Sequence, residues 1–235
     1  MADLSARTVL IAGGSSAAGI AAARALRAAG ARVLMVGSDR GRIEEAAAAA
    51  GGAVPLVCDL ADAPAVQVLA ADVHERFGKV DGVLHLVGGW RGADGITGQT
   101  DADWEFLSRN IVTTLRNVVR AFYDDLLASA AGRLAIVSST AVTSPTAGGA
   151  DYAAAKAAAE TWVRAVASGF AAAQGTDLHS AAVVFAVKAL VDDAMRSAHP
   201  ERRFPGFTDV TAVADACTAL FEEPAGGLNG ARRVL

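Results

Sequence analysis

Short apolar, β-branched runs recur along the chain: TVLIA (8–12), RVLMV (32–36), AVPLV (53–57), VDGVLHLV (80–87), RLAIVS (133–138), AAVVFAV (181–187) and ARRVL at 231–235. Runs without strict apolar/polar alternation are the mark of strands buried on both faces. Between them lie Ala-rich amphipathic segments, which predict helices over Ala17–Ala29, Arg42–Ala50, Ala63–Phe77, Ala102–Ala128, Ala150–Ala172 and Val210–Phe221. Strand and helix alternate throughout, and right-handed crossovers turn that alternation into one doubly wound seven-stranded parallel sheet with helices on both faces. In such an α/β sheet a ligand sits beyond the carboxyl ends of the strands, so candidate chemistry is expected there.

Composition narrows the picture. The 235 residues suit one domain, and no linker or biased seam divides them. The 21 Lys+Arg and 25 Asp+Glu give a net charge of −4, with the two signs interspersed. That balance offers no footprint for nucleic acid or an acidic membrane. Cys58 and Cys217 are too few and too far apart for a disulfide framework, and no His/Cys spacing suggests a metal site. They read as buried thiols in a reducing compartment. The first apolar run follows two charges and ends at once in glycines, so the expectation is a cytoplasmic chain with neither leader nor membrane span. His74, His179 and His199 read as surface or capping residues, Asp124 and Asp125 as a solvated helix face, and Met35 and Met195 as packing.

Three strand ends carry features that suit a nucleotide. After the first strand comes AGGSSAAG, in which Gly13, Gly14 and Gly19, with Ser15 and Ser16 between them, open an Ala-rich helix. Small residues there let backbone N–H groups and the positive helix end approach a pyrophosphate. Asp59 and Leu60 end the third strand, where the carboxylate can accept from an adenine amino group, and Gly88 follows the fourth. The second strand ends in Gly37, Ser38, Asp39, Arg40, Gly41, Arg42. An acid at its tip would hold the ribose hydroxyls of NAD. Gly37 stands there instead, and Ser38 with Arg40 or Arg42 suits an extra phosphate, so NADP(H) is favoured over NAD(H), with Asp39 the opposing sign.

A second group of polar residues suits proton transfer. Tyr152 and Lys156 are four apart on an Ala-rich helix and face the same space. Ser139, at the end of the fifth strand, precedes the tyrosine by 13 residues, and Asn110 lies on the preceding long helix. An ammonium beside a phenol favours phenolate and so lowers the phenol's pKa.

Taken in order, AGGSSAAG, Asp59, Asn110, Ser139, Tyr152 and Lys156 resemble the short-chain dehydrogenase/reductase family over nearly the whole chain. The resemblance implies a Rossmann-type fold and hydride exchange between a nicotinamide cofactor and a small-molecule carbonyl or alcohol substrate. Tyr152 would be the acid/base, Ser139 would hold the substrate oxygen, Lys156 would also bind the nicotinamide ribose, and Asn110 would seat a relay water. A homodimer or homotetramer built on the long helices is implied too. Departures are local. Ala17 replaces a loop glycine, and His85, Leu86, Val87, Gly88 stand where the family has Asn-Asn-Ala-Gly. Lys188 and Ala189 replace a Pro-Gly, and Asp193 replaces a nicotinamide-contacting Thr. A Lys188–Asp193 salt bridge is the expectation there. VGGWRG, with Trp90 as a candidate substrate-stacking residue, and the PERRF segment resemble the dihydropteridine reductase branch. That branch lacks the serine found here at Ser139 and carries an acid at the Gly37 position. A quinonoid reductase of that kind, and a non-catalytic NADP(H)-sensing protein, are the alternatives.

Overall fold

The computed structural model describes residues 3–235. Seven parallel strands form the central sheet: β1 (Thr8–Ala12), β2 (Arg32–Gly37), β3 (Val54–Val57), β4 (Gly82–His85), β5 (Arg133–Ser139), β6 (Ala181–Val187) and the C-terminal β9 (Arg232–Val234). Their order is β3-β2-β1-β4-β5-β6-β9. The chain therefore reverses direction across the sheet between β1 and β4, which opens a crevice at their carboxyl ends. Both faces of β1 are buried: Leu10 and Ala12 point into one apolar layer, Val9 and Ile11 into the other. The first layer is covered by α3 (Ala63–Phe77), α5 (Thr114–Ala128) and α6 (Ala150–Gln174) through residues such as Val66, Phe122 and Phe170. On the second lie α1 (Ala17–Ala28), α2 (Arg40–Ala49) and α8 (Val210–Ala219), through Leu26, Ile43 and Val213. Cys58, Cys217 and Met35 are buried in these layers.

The departures from the sequence pattern have local causes. β4 stops at His85, two residues early, because after Leu86 donates to the Ala12 carbonyl the chain leaves the sheet toward Gly88. α2 starts at Arg40, since the Asp39 carboxylate caps it by accepting from the Arg42 N–H at 2.8 Å. The long helix expected over 102–128 is broken into α4 (Asp101–Leu107), a π-helical turn (Ser108–Thr113) and α5. Asn110 sits in that turn, with its amide donating to the Phe106 carbonyl at 2.8 Å and its own carbonyl accepting from the Thr114 hydroxyl at 2.6 Å. Turns of this kind insert a residue into the helix and frequently mark functional sites. A two-stranded sheet, β7 (Leu190–Val191) with β8 (Thr208–Asp209), brackets the short α7 (Asp193–Ala198). Strands of two residues are below what an apolar pattern reveals. The last helix, α9 (Ala225–Leu228), leads into β9.

Asp125 is a correction. Asp124 is exposed, but Asp125 is buried on the inner side of α5, where it accepts from the Val80 N–H at 3.1 Å and pairs with His74 Nε2 at 2.7 Å. His74 accordingly has a partner. Replacing Asp125 by Ala would leave the buried Val80 N–H unsatisfied and should lower stability by about 1–3 kcal/mol. Urea unfolding of the two proteins checks this. Among the described residues, no helix is long and apolar enough to cross a membrane, and no cluster of His, Cys, Asp and Glu could hold a metal ion.

Candidate active site

A cavity of about 1130 Å³ runs along the carboxyl ends of the central strands. Its nucleotide end is built from tight backbone contacts. Gly13 has φ +83°, and a Cβ there would lie 2.8–2.9 Å from the backbone of Leu86 and Val87. Only glycine allows the loop after β1 to lie against the loop after β4. Gly19 stands outside the lining but shapes it, because a Cβ there would be 2.7 Å from the Gly13 and Gly14 carbonyl oxygens. Ser16 closes the loop, donating to the Gly13 carbonyl at 2.8 Å and accepting from the Gly19 N–H at 3.0 Å as the cap of α1. The result is a small-residue cradle, lined by Gly13, Ser15 and Ser16, at the positive end of a 12-residue helix.

At the tip of β2 the structure sorts the polar candidates. Ser38, Asp39 and Arg42 line the cavity, whereas Arg40 turns away to Glu44 at 3.3 Å and lies outside it. The Asp39 carboxylate is engaged as the helix cap. Arg42's guanidinium has no hydrogen-bond or ion-pair partner among the described residues, which leaves a cation facing the cavity with its charge uncompensated. A Cβ on Gly37 would come 2.8 Å from the Ser15 hydroxyl and 3.2–3.3 Å from the Ile43 side chain, so an acid at that strand tip would need both neighbours to shift. Asp59 and Leu60 line the next part of the cavity. One Asp59 oxygen accepts from the Ala61 N–H at 2.9 Å and the other from Arg109 at 2.6 Å. Nothing in the sequence marks Arg109 as part of the site; it reaches Asp59 from the π turn.

The other end holds Ser139, Tyr152, Lys156, Asn110 and Gly88, all in the lining. Ser139 closes β5, its hydroxyl accepts from the Ala141 N–H at 3.1 Å, and it lies close enough to the Tyr152 phenol to act on its acidity. Lys156 is buried, with Nζ donating to the Val137 carbonyl at 2.7 Å and lying 5.9 Å from the centre of the Tyr152 ring. Gly88 lies beside it: a Cβ there would be in ordinary contact with Nζ, at 3.6 Å. Burial lowers the Lys156 pKa to about 8, with the Glu160 carboxylate opposing. The phenol departs from the expectation drawn from Tyr-x-x-x-Lys. Burial raises the Tyr152 pKa, and the Ser139 hydrogen bond opposes only in part. His85, buried behind the site, is pulled to about 3 by burial and by Lys156, so it is neutral. Its Nε2 lies 3.0 Å from the Thr114 hydroxyl. That hydroxyl gives its one proton to the Asn110 carbonyl, so Nε2 must carry the imidazole proton.

The mouth corrects two further expectations. Lys188 and Asp193 form no salt bridge: Lys188 Nζ donates to the Pro205 carbonyl at 3.0 Å, and Asp193 is fully exposed and pairs with Arg196 at 3.5 Å. Asp192, not Asp193, lines the cavity, with one carboxylate oxygen capping α7 through the Met195 N–H at 2.7 Å. Met195 is at the rim and partly exposed rather than packed. Trp90 also lines the mouth, is 67% exposed, and rests its ring over Gly92.

A parallel doubly wound sheet, a phosphate-sized cradle after its first strand and a Ser/Tyr/Lys set at the ends of β5 and α6 define the short-chain class of dehydrogenases. The family model described as short chain dehydrogenase matches residues 7–182, and the chain belongs to that family of oxidoreductases. Solved structures share the fold. The NADPH-bound short chain oxidoreductase from Pseudomonas aeruginosa PAO1, described as containing an atypical catalytic center, is 22% identical. The similarity spans 100% of this chain and 97% of that one, with a TM-score of 0.87. A short chain dehydrogenase from Shigella flexneri complexed with NADP is 21% identical over 100% of this chain and 99% of that one (TM-score 0.86). An NAD+-bound xylitol dehydrogenase is 18% identical over 97% of each (TM-score 0.81). No curated protein matches the chain.

Proposed function

We propose that this protein interconverts a carbonyl and a secondary alcohol using NADP(H). The observation that carries the reading is one continuous cavity with the Gly13–Gly19 cradle and the unpaired Arg42 at one end and Ser139, Tyr152 and Lys156 at the other. The residues fit a dinucleotide: the cradle is backbone where a Cβ would collide, and Arg42 with Ser38 suits a 2′-phosphate. Asp59 would accept from the adenine. The solved relatives bound to NADPH, NADP and NAD+ agree with a nicotinamide cofactor, which would supply or take up hydride.

The chain's own residues do the rest. Ser139 holds the substrate oxygen beside the phenol, which fixes the reacting atom for proton transfer. Tyr152, kept protonated by burial, is set up as the donor to an oxygen gaining negative charge, so the free protein is poised for carbonyl reduction. Lys156 stabilises the phenolate left behind. With its pKa near 8 it remains an ammonium at neutral pH, and reduction should fade as pH rises through that range. The exposed Trp90 offers an aromatic face to a flat substrate at the mouth. Asn110 would seat a water leading from Lys156 outward.

Monitoring NADPH oxidation with a panel of aldehydes, ketones, quinones and quinonoid pterins tests the reading. Oxidation with pterins alone would favour the pterin-reductase alternative, and tight NADPH binding without oxidation of any substrate would make the protein a sensor. An apolar groove between α5 and α6, lined by Val119, Tyr123, Trp162 and Val166, supports self-association through these helices. Light scattering should give the mass of a dimer or tetramer.

A further inference from the structure

The polar groups on the sheet side of α6 continue past the catalytic lysine. Glu160 lies one turn beyond Lys156, with a side chain only 3% exposed, in a layer otherwise filled by Val163, Val166 and Phe170. A carboxylate so placed is costly unless it is paired and hydrogen-bonded. It is both. Ser138 donates its hydroxyl to Glu160 at 2.6 Å, and Arg232 Nε contacts the two carboxylate oxygens at 3.0 and 3.2 Å.

Arg232 comes from β9, two strands away from β5 in the sheet. Its register partner is Val184, which pairs in turn with Ile136, and both of these side chains enter the layer under α6. The arginine therefore leaves the sheet on the α6 side. Two residues further along, Ala186 presents only a methyl opposite Ser138, and the guanidinium crosses β6 to donate its second nitrogen to the Ser139 carbonyl at 3.0 Å. Three consecutive residues at the end of β5 are thus each held by a buried or half-buried ion. Lys156 takes the Val137 carbonyl, Glu160 the Ser138 hydroxyl and Arg232 the Ser139 carbonyl.

We propose that Glu160 and Arg232 are positioning residues for Ser139, Tyr152 and Lys156: together they fix the backbone that presents the Ser139 hydroxyl and keep Lys156 in its ammonium form. The inference rests on the oxidoreductase reading above. The charged and titratable groups around Lys156 are Tyr152 and Glu160 on its own helix, His85 from β4 and Arg232 from β9. His85 is neutral, so Glu160 is the anion that opposes the effect of burial on the lysine. Neutralising position 160 would leave the ammonium and the guanidinium without an anion between them. Lys156 would then lose its proton at lower pH. An ion pair that served only the fold would change stability and leave this titration alone.

The chain has three lysines, so Lys79→Arg with Lys188→Arg leaves Lys156 as the only one, and NMR of its 13C-labelled ε-carbon reports its titration directly, without cofactor or substrate. Adding Glu160→Gln is expected to move that titration downward by about half a unit to one unit. In the otherwise native chain, Glu160→Gln should lower kcat about tenfold, with KM and NADPH affinity little changed. Glu160→Asp, which keeps the charge, should restore the titration. If the glutamine variant does not fold, the double change Glu160→Met with Arg232→Met also removes the guanidinium that would lose its partner, and it carries the same expectation because Glu160 is the charge that acts on Lys156. A Lys156 titration unmoved in a folded protein lacking the Glu160 carboxylate would overturn the proposal. Failure of the native protein to turn over any carbonyl would defeat the oxidoreductase reading, and the substrate-free titration would still decide this one.

Discussion

Replacing Tyr152 by Phe should reduce turnover by about 10²–10⁴-fold, the range lost with a positioned proton donor, while NADPH affinity stays near that of the native protein. The change removes one oxygen from a ring that is partly buried against the core, so the fold has no reason to respond. What is lost is the phenol hydroxyl that lines the cavity beside Ser139. The lysine does not replace it, because its Nζ is held by the Val137 carbonyl at 2.7 Å. Stopped-flow measurement of NADPH oxidation at saturating substrate, alongside fluorescence titration of NADPH, separates the two quantities. Retained turnover would reject Tyr152 as the donor. Loss of cofactor binding with turnover would mean that the side chain works by shaping the nucleotide site.

Substituting Arg42 by Ala should weaken NADPH binding by about ten- to a hundredfold and leave NADH binding unchanged. The magnitude follows from a charge-assisted hydrogen bond to phosphate, about 1.5–3 kcal/mol, at 1.4 kcal/mol per tenfold. Arg42 rather than Arg40 is the residue to change, since Arg40 already faces Glu44 and lies outside the cavity. Substitution of Arg40 is the control. An exposed pair one turn apart contributes little, so its loss should leave both affinities as they are. Equal weakening of NADPH and NADH on removing Arg42 would mean that the guanidinium serves the shared part of the dinucleotide.

The seven strands of the central sheet, most of the helices on its two faces and the crevice at the carboxyl ends were legible in the sequence, because the central strands, buried on two faces, write continuous apolar runs. Ser139, Tyr152 and Lys156 were legible as a set because their spacing is short and local. What escaped was decided by contacts between distant segments. Nothing in DADWEFLSRNIVTTL marks a π turn at Asn110, and the same register change turns Arg109 toward Asp59, 50 residues back. Asp124 and Asp125 look alike in sequence, yet one faces solvent and the other meets Val80 and His74. The acidity of Tyr152 is set by burial, which the spacing to Lys156 does not show. Arg232 reads as a polar interruption of a terminal strand, and only the sheet order brings it to Glu160.

The packing of Gly37 against Ser15 and Ile43 bears on how this cofactor site can change over time. A Cβ at the strand tip would meet the Ser15 hydroxyl at 2.8 Å and the Ile43 side chain at 3.2 Å. The hydroxyl can rotate aside, whereas the isoleucine is fully buried. A lineage or an engineer moving this scaffold toward the unphosphorylated dinucleotide would meet its resistance at residue 43 rather than at residue 15.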